Sequence, residues 1–342
     1  MEGRTQAGTD AGLPDVVQRP SRLRALAAVG INAESSAQAL DRIAGMACRL
    51  LDAPVVLVNL VGSDRQHFVG CGGGDPSWTT AREMPLTHGF CPFALGAEDA
   101  YSFADARVDS VLAANPVVEQ LGVVAYAGVP LRVADGEPIG TLCAIDQEPH
   151  EWSEDDLAIL ADLAASAAAE LQLLAATRHV ARHQSRVRTL AALSSALVRA
   201  SSAEDVIDEV APVIDRMHAS AVWLLAADDS GRALRTAASA SADSDVIAEV
   251  PLDTQLPLAD IVSTGRPDFL PTRSDVRDRL APMLEAAPDV GSVALLPLGA
   301  GEQCLGVLGV SFADERALSD DDREYLAAIA GLSSLALARA GR

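Results

Sequence analysis

The chain has 342 residues, enough for two domains of ordinary size, and 49% of them are hydrophobic. Its formal net charge of −22 argues against a nucleic-acid-binding surface, which needs clustered cations. Its five cysteines are odd in number and lack CxxC spacing, so they fit reduced thiols better than a disulfide framework or a zinc site.

The N-terminal segment is weakly patterned. Residues 1–20 show little periodicity and are predicted to form a disordered tail. No signal-peptide core occurs there, and no unbroken apolar run approaches the ~20 residues of a membrane span, so we expect a cytoplasmic protein with no membrane partner. Ser21 is predicted to cap a short helix, and Ser35 or Ser36 to cap the next, which ends near Leu51.

A hairpin and an irregular segment follow. Val55–Val61 is an almost continuous apolar run and predicts a central strand, which pairs with a strand at Arg65–Gly70. Residues 71–82 are rich in glycine and are expected to be irregular. A short helix is predicted at His88–Leu95, and an edge strand begins at Ser102.

The first half ends in a strand, a tight turn, a second strand and a helix. Val123–Val133 and Ile139–Ile145 are apolar runs, and Asp-Gly lies at the centre of the turn between them. Ser153 is a good helix N-cap, and the acids after it suit the positive end of a helix dipole.

The helix after Ser153 has no internal reason to stop. No glycine or proline occurs between Pro149 and Pro212, so one helix is predicted to run to about Ala200, ~70 Å in length. A narrow apolar stripe follows it: Leu157, Leu160, Ala164, Ala167, Leu171 and Leu174. Arginines then replace it between Arg178 and Arg188. This helix either presents a solvated face or pairs with its copy in a homodimer, for which Leu160 and Leu171 are the predicted seam.

The same order of elements returns later in the chain. Pro130 matches Pro297 and Ser153 matches Ser319, 166 or 167 residues apart, and Val222–Leu225 matches Val55–Val58 at 167. This spacing predicts a duplicated domain rather than a short repeat.

Each repeat therefore predicts an α+β fold. We expect two domains, each an antiparallel sheet of five or six strands with helices on one face, joined by a long helix. The irregular middle would cover the other face of each sheet and close a pocket. The predicted boundaries are 1–20 for the tail, 21–175 for the first domain, 176–200 for the connecting helix and 201–342 for the second domain.

Several blocks of the first domain resemble, in order, one large subgroup of the GAF family, the small-molecule-sensing modules of bacterial signalling proteins. They are Asp52–Val55, Asp64–Phe68, His88–Cys91, Asn115–Pro116, Tyr126–Leu131 and Gly140–Asp146. The second domain matches more loosely, through Gly265–Pro267, Leu296–Leu298 and Leu305–Gly309, and resembles GAF domains of actinobacterial phosphatases and histidine kinases. The resemblance implies a non-catalytic sensory or regulatory protein that passes a signal through its long helix.

Two departures narrow what the resemblance implies. The Asn-Lys-Phe-Asp-Glu signature of cyclic-nucleotide GAF domains is absent, and Cys91 precedes Pro92 instead of the histidine usual after a bilin-bearing cysteine. The cofactor and the small-molecule ligand therefore stay unknown. Because the chain stops at Arg342, just after its last helix, we expect a kinase or phosphatase output to lie in a removed segment or a partner.

The candidate ligand-binding residues are His88, Phe90, Cys91, Tyr126 and Cys143. Cys91 is predicted at a helix start, where a thiol pKa falls, so it is expected to react before Cys143; core packing is the alternative for both. His88 could ligate haem or a metal, but it lacks a paired ligand.

Two further functions compete with sensing. Both domains could form a ligand-free dimerisation scaffold, which a filled interior would favour. The chain could also reduce free methionine sulfoxide through Cys71, Cys91 and Cys143, as one GAF lineage does, although the surrounding residues do not resemble that lineage.

Overall fold

Two compact units make up the protein, Met1–Ala181 and Arg182–Arg342. The structure is a computed structural model that describes residues 12–30, 37–73, 82–228, 233–241, 249–251, 257–280, 290–300 and 303–340. The predicted cap at Ser35 or Ser36 lies outside the described residues, and so do residues 1–11 of the predicted tail.

The first unit holds a six-stranded antiparallel sheet in the order β3-β2-β1-β6-β5-β4. Its strands are β1 Val55–Val61, β2 Arg65–Gly73, β3 Glu83–Pro85, β4 Tyr101–Phe103, β5 Ala125–Arg132 and β6 Pro138–Asp146. Its helices are α1 Pro20–Val29, α2 Ala37–Leu50, α3 Cys91–Ala94, α4 Ser110–Ala113, α5 Pro116–Gln120 and the start of α6 Glu154–Leu197. The predicted central strands are confirmed: β1 and β6 are adjacent at the middle of the sheet, and β1 is buried along its whole length.

The second unit repeats this arrangement with the sheet order β10-β11-β12-β7-β8-β9. Its strands are β7 Ala221–Ala227, β8 Ala233–Ser241, β9 Glu249–Pro251, β10 Asp268–Leu270, β11 Ser292–Ala300 and β12 Gln303–Phe312. Besides the end of α6, its helices are α7 Ala203–Asp215, α8 Pro257–Thr264, α9 Arg273–Leu280 and α10 Asp320–Ala340. Two antiparallel sheets with flanking helices confirm the predicted fold class.

Each face of the first sheet has its own core. On one face, α1, α2 and α6 pack against alternate residues of β1 and β6, including Val56, Val58 and Leu142. On the other face, the segment between β3 and β5 covers Leu57, Cys143 and their neighbours. This is the predicted division between a helical face and an irregular face.

The N-terminal segment departs from its prediction. Residues 12–20 are not a disordered tail: Asp15–Gln18 form a 3-10 turn, and Val17 is fully buried. The buried guanidinium of Arg22 donates to the carbonyls of Val17, at 3.1 Å, and Val61, at 2.6 Å, and so ties the segment to β1. Ser21 is not the cap of α1, since the helix begins one residue earlier at Pro20, whose fixed φ suits a first helical position.

The glycine-rich stretch after Gly70 is also partly a strand. β2 continues through Cys71 to Gly73, because glycines let α2 lie directly against it. A Cβ on Gly70 would come within 2.6 Å of the Leu40 Cβ. The backbone N–H of Cys71 also donates to the Asp41 carboxylate of α2, at 2.8 Å.

The apolar stripe of α6 packs inside the first unit. Leu160 and Leu171 are buried in the core shared with β1 and β6. The prediction that this stripe is a dimer seam is therefore wrong, because the sheet of the same unit already covers it. The predicted N-cap is confirmed: the Asp156 N–H donates to Ser153 Oγ at 3.1 Å.

By length and composition alone, α6 could cross a membrane. The core helix of a soluble protein passes the same test, and several leucines and alanines of α6 are buried in the first unit.

Strand pairing corrects one detail of the duplication. Gly140 lies opposite Leu60, and its counterpart Gly306 lies opposite Ala226, so β1 and β7 correspond with a spacing of 166 residues rather than 167. Because side chains alternate, the one-residue change decides which face each residue occupies. Trp223 therefore corresponds to Leu57.

Candidate functional site

The candidate site lies on the irregular face of the first sheet. In the antiparallel pairing of β1 with β6, Leu57 lies opposite Cys143 and Asn59 lies opposite Thr141. Alternation directs all four side chains away from the long helices. The short helix α3 begins at Cys91 and lies over this face.

Two thiols meet there. The Sγ atoms of Cys91 and Cys143 are 3.5 Å apart, and the Cys143 thiol also lies 3.7 Å from the carbonyl oxygen of Leu57. Their side chains are only 4% and 0% exposed. The two cysteines predicted for the site are thus in direct contact, although 52 residues separate them in the chain.

Three buried polar atoms accompany the thiols. Among the described residues, no hydrogen-bond partner of ordinary geometry faces Tyr126 Oη, Thr141 Oγ1 or Asn59 Oδ1. The amide nitrogen of Asn59 is satisfied, since it donates to Gln66 Oε1 at 2.7 Å. A buried polar atom without a partner costs about 1–3 kcal/mol, so three together require an explanation. We call Cys91, Cys143, Tyr126, Thr141 and Asn59 the dithiol site.

The electrostatics of the two sulfurs differ. A hydrogen bond from the Cys143 thiol lowers the pKa of Cys91 and outweighs the raising effect of burial. The nearby Tyr126, Thr141 and Asn59 side chains lower that pKa further. The same pairing, together with burial, raises the pKa of Cys143. The first thiolate of the pair therefore forms on Cys91.

An aromatic wall encloses the site. The ring centroids of Phe90 and Phe103 are 4.7 Å apart, and Tyr126 lies 5.6 Å from Phe90 and 5.8 Å from Phe103. Burial raises the pKa of the Tyr126 phenol, which stays a proton donor at neutral pH. Its oxygen lies close over Gly128, which pairs with Cys143, so a side chain at Gly128 would displace it.

A small cavity reaches Cys91. Its volume is about 30 Å³, the space of roughly two waters. It is lined by Leu57, Gln66, Phe68, Met84, His88, Gly89, Phe90, Cys91, Val117, Leu121, Val123, Tyr126 and Ile145. Four of the five predicted site residues line it, and Cys143 lies behind Cys91. No ligand of nucleotide size fits this space.

The segment over the cavity is held by two amide side chains. Gln66 donates to the carbonyl oxygens of His88 and Pro85. Asn115 forms a reciprocal pair with Gly89, at 3.0 and 3.2 Å. We call the segment between Met84 and Phe90 the cover. Gln66 attaches it to β2, and Asn115 attaches it to the start of α5, so each attachment depends on one side chain.

His88 is placed at the cavity rather than in a metal site. Its Nδ1 lies 3.0 Å from Thr87 Oγ1. Among the described residues, no three His, Cys, Asp or Glu side chains come together as a set of metal ligands. The possibility that His88 ligates a metal ion therefore gains no support from the neighbouring described residues.

Sequence reasoning missed Asn59, Thr141 and Gln66. Asn59 and Thr141 are polar residues within otherwise apolar strands, and that interruption was the available signal. Their mutual contact could not be read without the register of β1 against β6.

The second unit has no such site in its described part. Gly309 occupies the position of Cys143, and the indole of Trp223 lies directly on it. The apolar residues around Trp223, among them Leu225 and Leu295, are buried in one core. An indole thus fills the space that the thiols occupy in the first unit.

A second concave surface of the first unit is larger and open. This groove, of about 620 Å³, runs between β5, the loop at Glu98 and the outer face of α6. Alanines of α6 form one wall, including Ala161, Ala165 and Ala169.

Comparison with known proteins gives a match for each half of the chain. Residues 36–171 match a family model described as GAF domain, and residues 200–338 match a second model with the same description. A cyclic di-GMP phosphodiesterase of Pseudomonas aeruginosa is 29% identical over 154 residues, which cover 44% of this chain and 25% of that protein. The chain thus spans about a quarter of that relative's length.

Solved structures give a likeness of fold only. The GAF domain of an Acinetobacter phosphoenolpyruvate-protein phosphotransferase is 14% identical and covers 45% of this chain and 93% of its own, with a TM-score of 0.39. A free methionine-R-sulfoxide reductase from Neisseria meningitidis, in complex with its substrate, is 14% identical. The match covers 46% of this chain and 90% of the reductase chain, with a TM-score of 0.40.

Proposed function

We propose a function for this chain on the premise that it belongs, through both of its halves, to the GAF domain family. Two GAF domains in tandem indicate a sensory or regulatory protein. The finer proposal is that the dithiol site of the first domain is the sensing element, and that the chain has no catalysis of its own. A change at that site would pass to α6 and on to an output.

The observation that carries this proposal is the position of β6 between the site and the long helix. Cys143 faces the dithiol site, while its neighbours Leu142 and Ala144 face the opposite core. That core contains Leu160 and Leu171 of α6. Because packed interiors transmit small displacements, movement of Cys143 displaces the side chains on which α6 rests.

The size of the cavity limits what the site can sense. A space of about 30 Å³ admits a molecule of one or two heavy atoms, unless the cover between Met84 and Phe90 opens. We therefore propose a redox signal or a very small ligand. A cyclic dinucleotide is excluded from the closed site by its size.

The likeness to the phosphodiesterase relative covers only part of that protein. The aligned stretch of 154 residues has the length of one GAF domain and only 25% of that protein. We propose that the likeness concerns the regulatory domain and not the phosphodiesterase activity. The output of this chain would be a kinase or phosphatase, in a further segment or a partner, and its setting cytoplasmic.

We also propose a homodimer, through a different face of α6 from the predicted seam. Leu173 and Val180 are 62% and 53% exposed, seven residues apart on this helix. Ala165, Ala169 and Ala176 are exposed beside them. Apolar residues at this spacing form a helix-pairing seam when a second helix covers them.

The alternative is a ligand-free scaffold. The nearly filled cavity of the first domain and the Trp223 packing of the second favour it. Sensing accounts better for the Tyr126 and Thr141 hydroxyls without partners, because a scaffold core has no use for their cost.

Hydrogen–deuterium exchange of the Cys91→Ser variant tests the proposed coupling without any ligand. We expect altered exchange in the part of α6 between Leu157 and Leu174, because the substitution removes one of the two sulfur atoms that are in contact. Cys304→Ser, in the second unit, is the matched control and should leave that segment unchanged. Equal exchange in wild type and Cys91→Ser would favour the scaffold.

A further inference from the structure

We propose that Cys91 and Cys143 are a redox couple that hydrogen peroxide oxidises to a disulfide inside the first domain. This inference rests on the proposed function and names the signal that the dithiol site receives. It begins from the 3.5 Å separation of the two sulfur atoms. A disulfide bond is about 2.05 Å long, so the sulfurs need to approach by only about 1.5 Å.

The two cysteines differ in whether an oxidant in the cavity can reach them, and so they have different roles in the reaction. Cys91 lines the small cavity, whereas Cys143 lies behind it on the central strand. An oxidant therefore reaches Cys91 first. The cavity volume of about 30 Å³ suits a peroxide of two oxygen atoms and excludes oxidised glutathione.

The unpartnered polar atoms give Cys91 its reactivity. The hydroxyls of Tyr126 and Thr141 are buried donors without an acceptor, and a thiolate on Cys91 supplies one. A thiolate, not a thiol, is the nucleophile in such oxidation. These hydroxyls are unpaired when Cys91 is a thiol and paired when it is a thiolate. The difference favours the thiolate, which is the reactive form.

The chemistry balances with peroxide as the only oxidant. The Cys91 sulfur attacks one peroxide oxygen, the O–O bond breaks, and the departing hydroxide takes up the thiol proton and leaves as water. Cys91 is then a sulfenic acid. The Cys143 sulfur attacks the Cys91 sulfur, the S–O bond breaks, and the hydroxyl leaves as a second water with the Cys143 proton. Two electrons pass from the sulfurs to peroxide, and a dithiol reductant reverses the change by thiol–disulfide exchange.

The other cysteines serve as internal controls. Cys48, Cys71 and Cys304 are half-buried, and burial raises the pKa of each. Cys304 belongs to the second unit, where Gly309 replaces Cys143. The reaction should therefore be confined to one pair.

Peptide mapping of the full chain after peroxide treatment tests the proposal. The reduced protein, freed of reductant, is titrated with hydrogen peroxide, and its peptides are separated without reduction. We expect one cross-linked peptide that joins Cys91 to Cys143 and a mass loss of about 2 Da in the intact chain. Oxidised glutathione at the same concentration should react far more slowly.

Variants distinguish the proposed role of Cys91, which reacts with peroxide, from that of Cys143, which forms the disulfide. Cys143→Ala should stop at the sulfenic acid, trapped on Cys91 by dimedone, whereas Cys91→Ser should leave Cys143 unlabelled. Cys71→Ser should still form the cross-link. Peptides of Cys91 and Cys143 that stay reduced in excess peroxide, or a cross-link between other cysteines, would overturn the proposal. The wild-type map decides the matter even if a variant fails to fold.

Failure here is distinct from failure of the proposed function. If the pair stays reduced while Cys91→Ser still alters exchange in α6, the coupling stands and the signal is a different small molecule. If the pair oxidises and α6 is unaffected by either change, the thiols react without serving the proposed route.

Discussion

At the scale of single residues, the two sulfur atoms of the dithiol site are not equivalent. Cys91 lines the small cavity, and its pKa is lowered by the Cys143 hydrogen bond. Cys143 lies behind it on β6, and the same pairing together with burial raises its pKa. The pH dependence of the reaction should therefore follow Cys91.

The pH dependence of peroxide oxidation should show the effect of Cys143 on the pKa of Cys91. The Cys143 hydrogen bond lowers the pKa of Cys91, so the rate should rise with pH and reach its plateau below the usual thiol pKa of about 8.5. Cys143 has a raised pKa and stays a protonated donor through that range. Loss of the Cys91 thiol, followed by quenched mass spectrometry, measures this rate.

A matched variant gives the sign of the effect. Cys143→Ala removes the hydrogen bond that is the largest cause of the lowered pKa, so the midpoint of Cys91 oxidation should move to higher pH. A midpoint that stays in place, or moves down, would show that Cys143 does not stabilise the Cys91 thiolate.

Part of the candidate site could be predicted from residue type. The structure brings together the predicted residues Cys91, Cys143 and Tyr126. Asn59 and Thr141 stood out in the sequence only as polar residues within apolar strands. Their place beside the thiols depends on which residues of β1 and β6 lie opposite each other. Register across strands is set by the whole sheet, so no local pattern reveals it.

At the scale of elements, α6 shows what a pattern can and cannot establish. The absence of glycine and proline predicted its length well, since Glu154–Leu197 is one helix. The apolar stripe correctly indicated a covered face. It could not say which surface covers it, and the sheet of the same unit does so before any second chain is needed.

Leu160→Glu should therefore destabilise the first unit. Leu160 is fully buried in the core, and an unpaired carboxylate there costs about 3–5 kcal/mol. Urea unfolding of the full chain should show an earlier first transition. An unchanged transition would mean that this face of α6 is not packed against the sheet.

The exposed face of the same helix should behave in the opposite way. Leu173→Glu combined with Val180→Glu should leave the unfolding transition within about 0.5 kcal/mol, because both side chains are exposed. It should also convert a dimer to a monomer in light scattering. Val108→Glu, at a position that is 84% exposed in the same unit, is the control and should keep the dimer. A monomeric wild type would contradict the proposed seam.

At the scale of the whole molecule, the two repeats share the fold and differ at the dithiol site. Both units have a six-stranded sheet in the same relative order, which the repeat predicted. Only the first carries two thiols in contact, whereas Trp223 covers Gly309 in the second. The sequence match aligned β1 with β7 one residue off, so the correspondence of Leu57 with Trp223, whose indole lies on Gly309, could not be recognised before the pairing was known.

The central claim is that the state of the two thiols is communicated to α6. Hydrogen–deuterium exchange of the full chain, reduced and after stoichiometric peroxide, tests it most directly. We predict a change in exchange between Leu157 and Leu174 that returns to the starting value after treatment with a dithiol reductant and is absent in Cys143→Ala. A mapped Cys91–Cys143 disulfide with identical exchange along α6 in both states would contradict the claim.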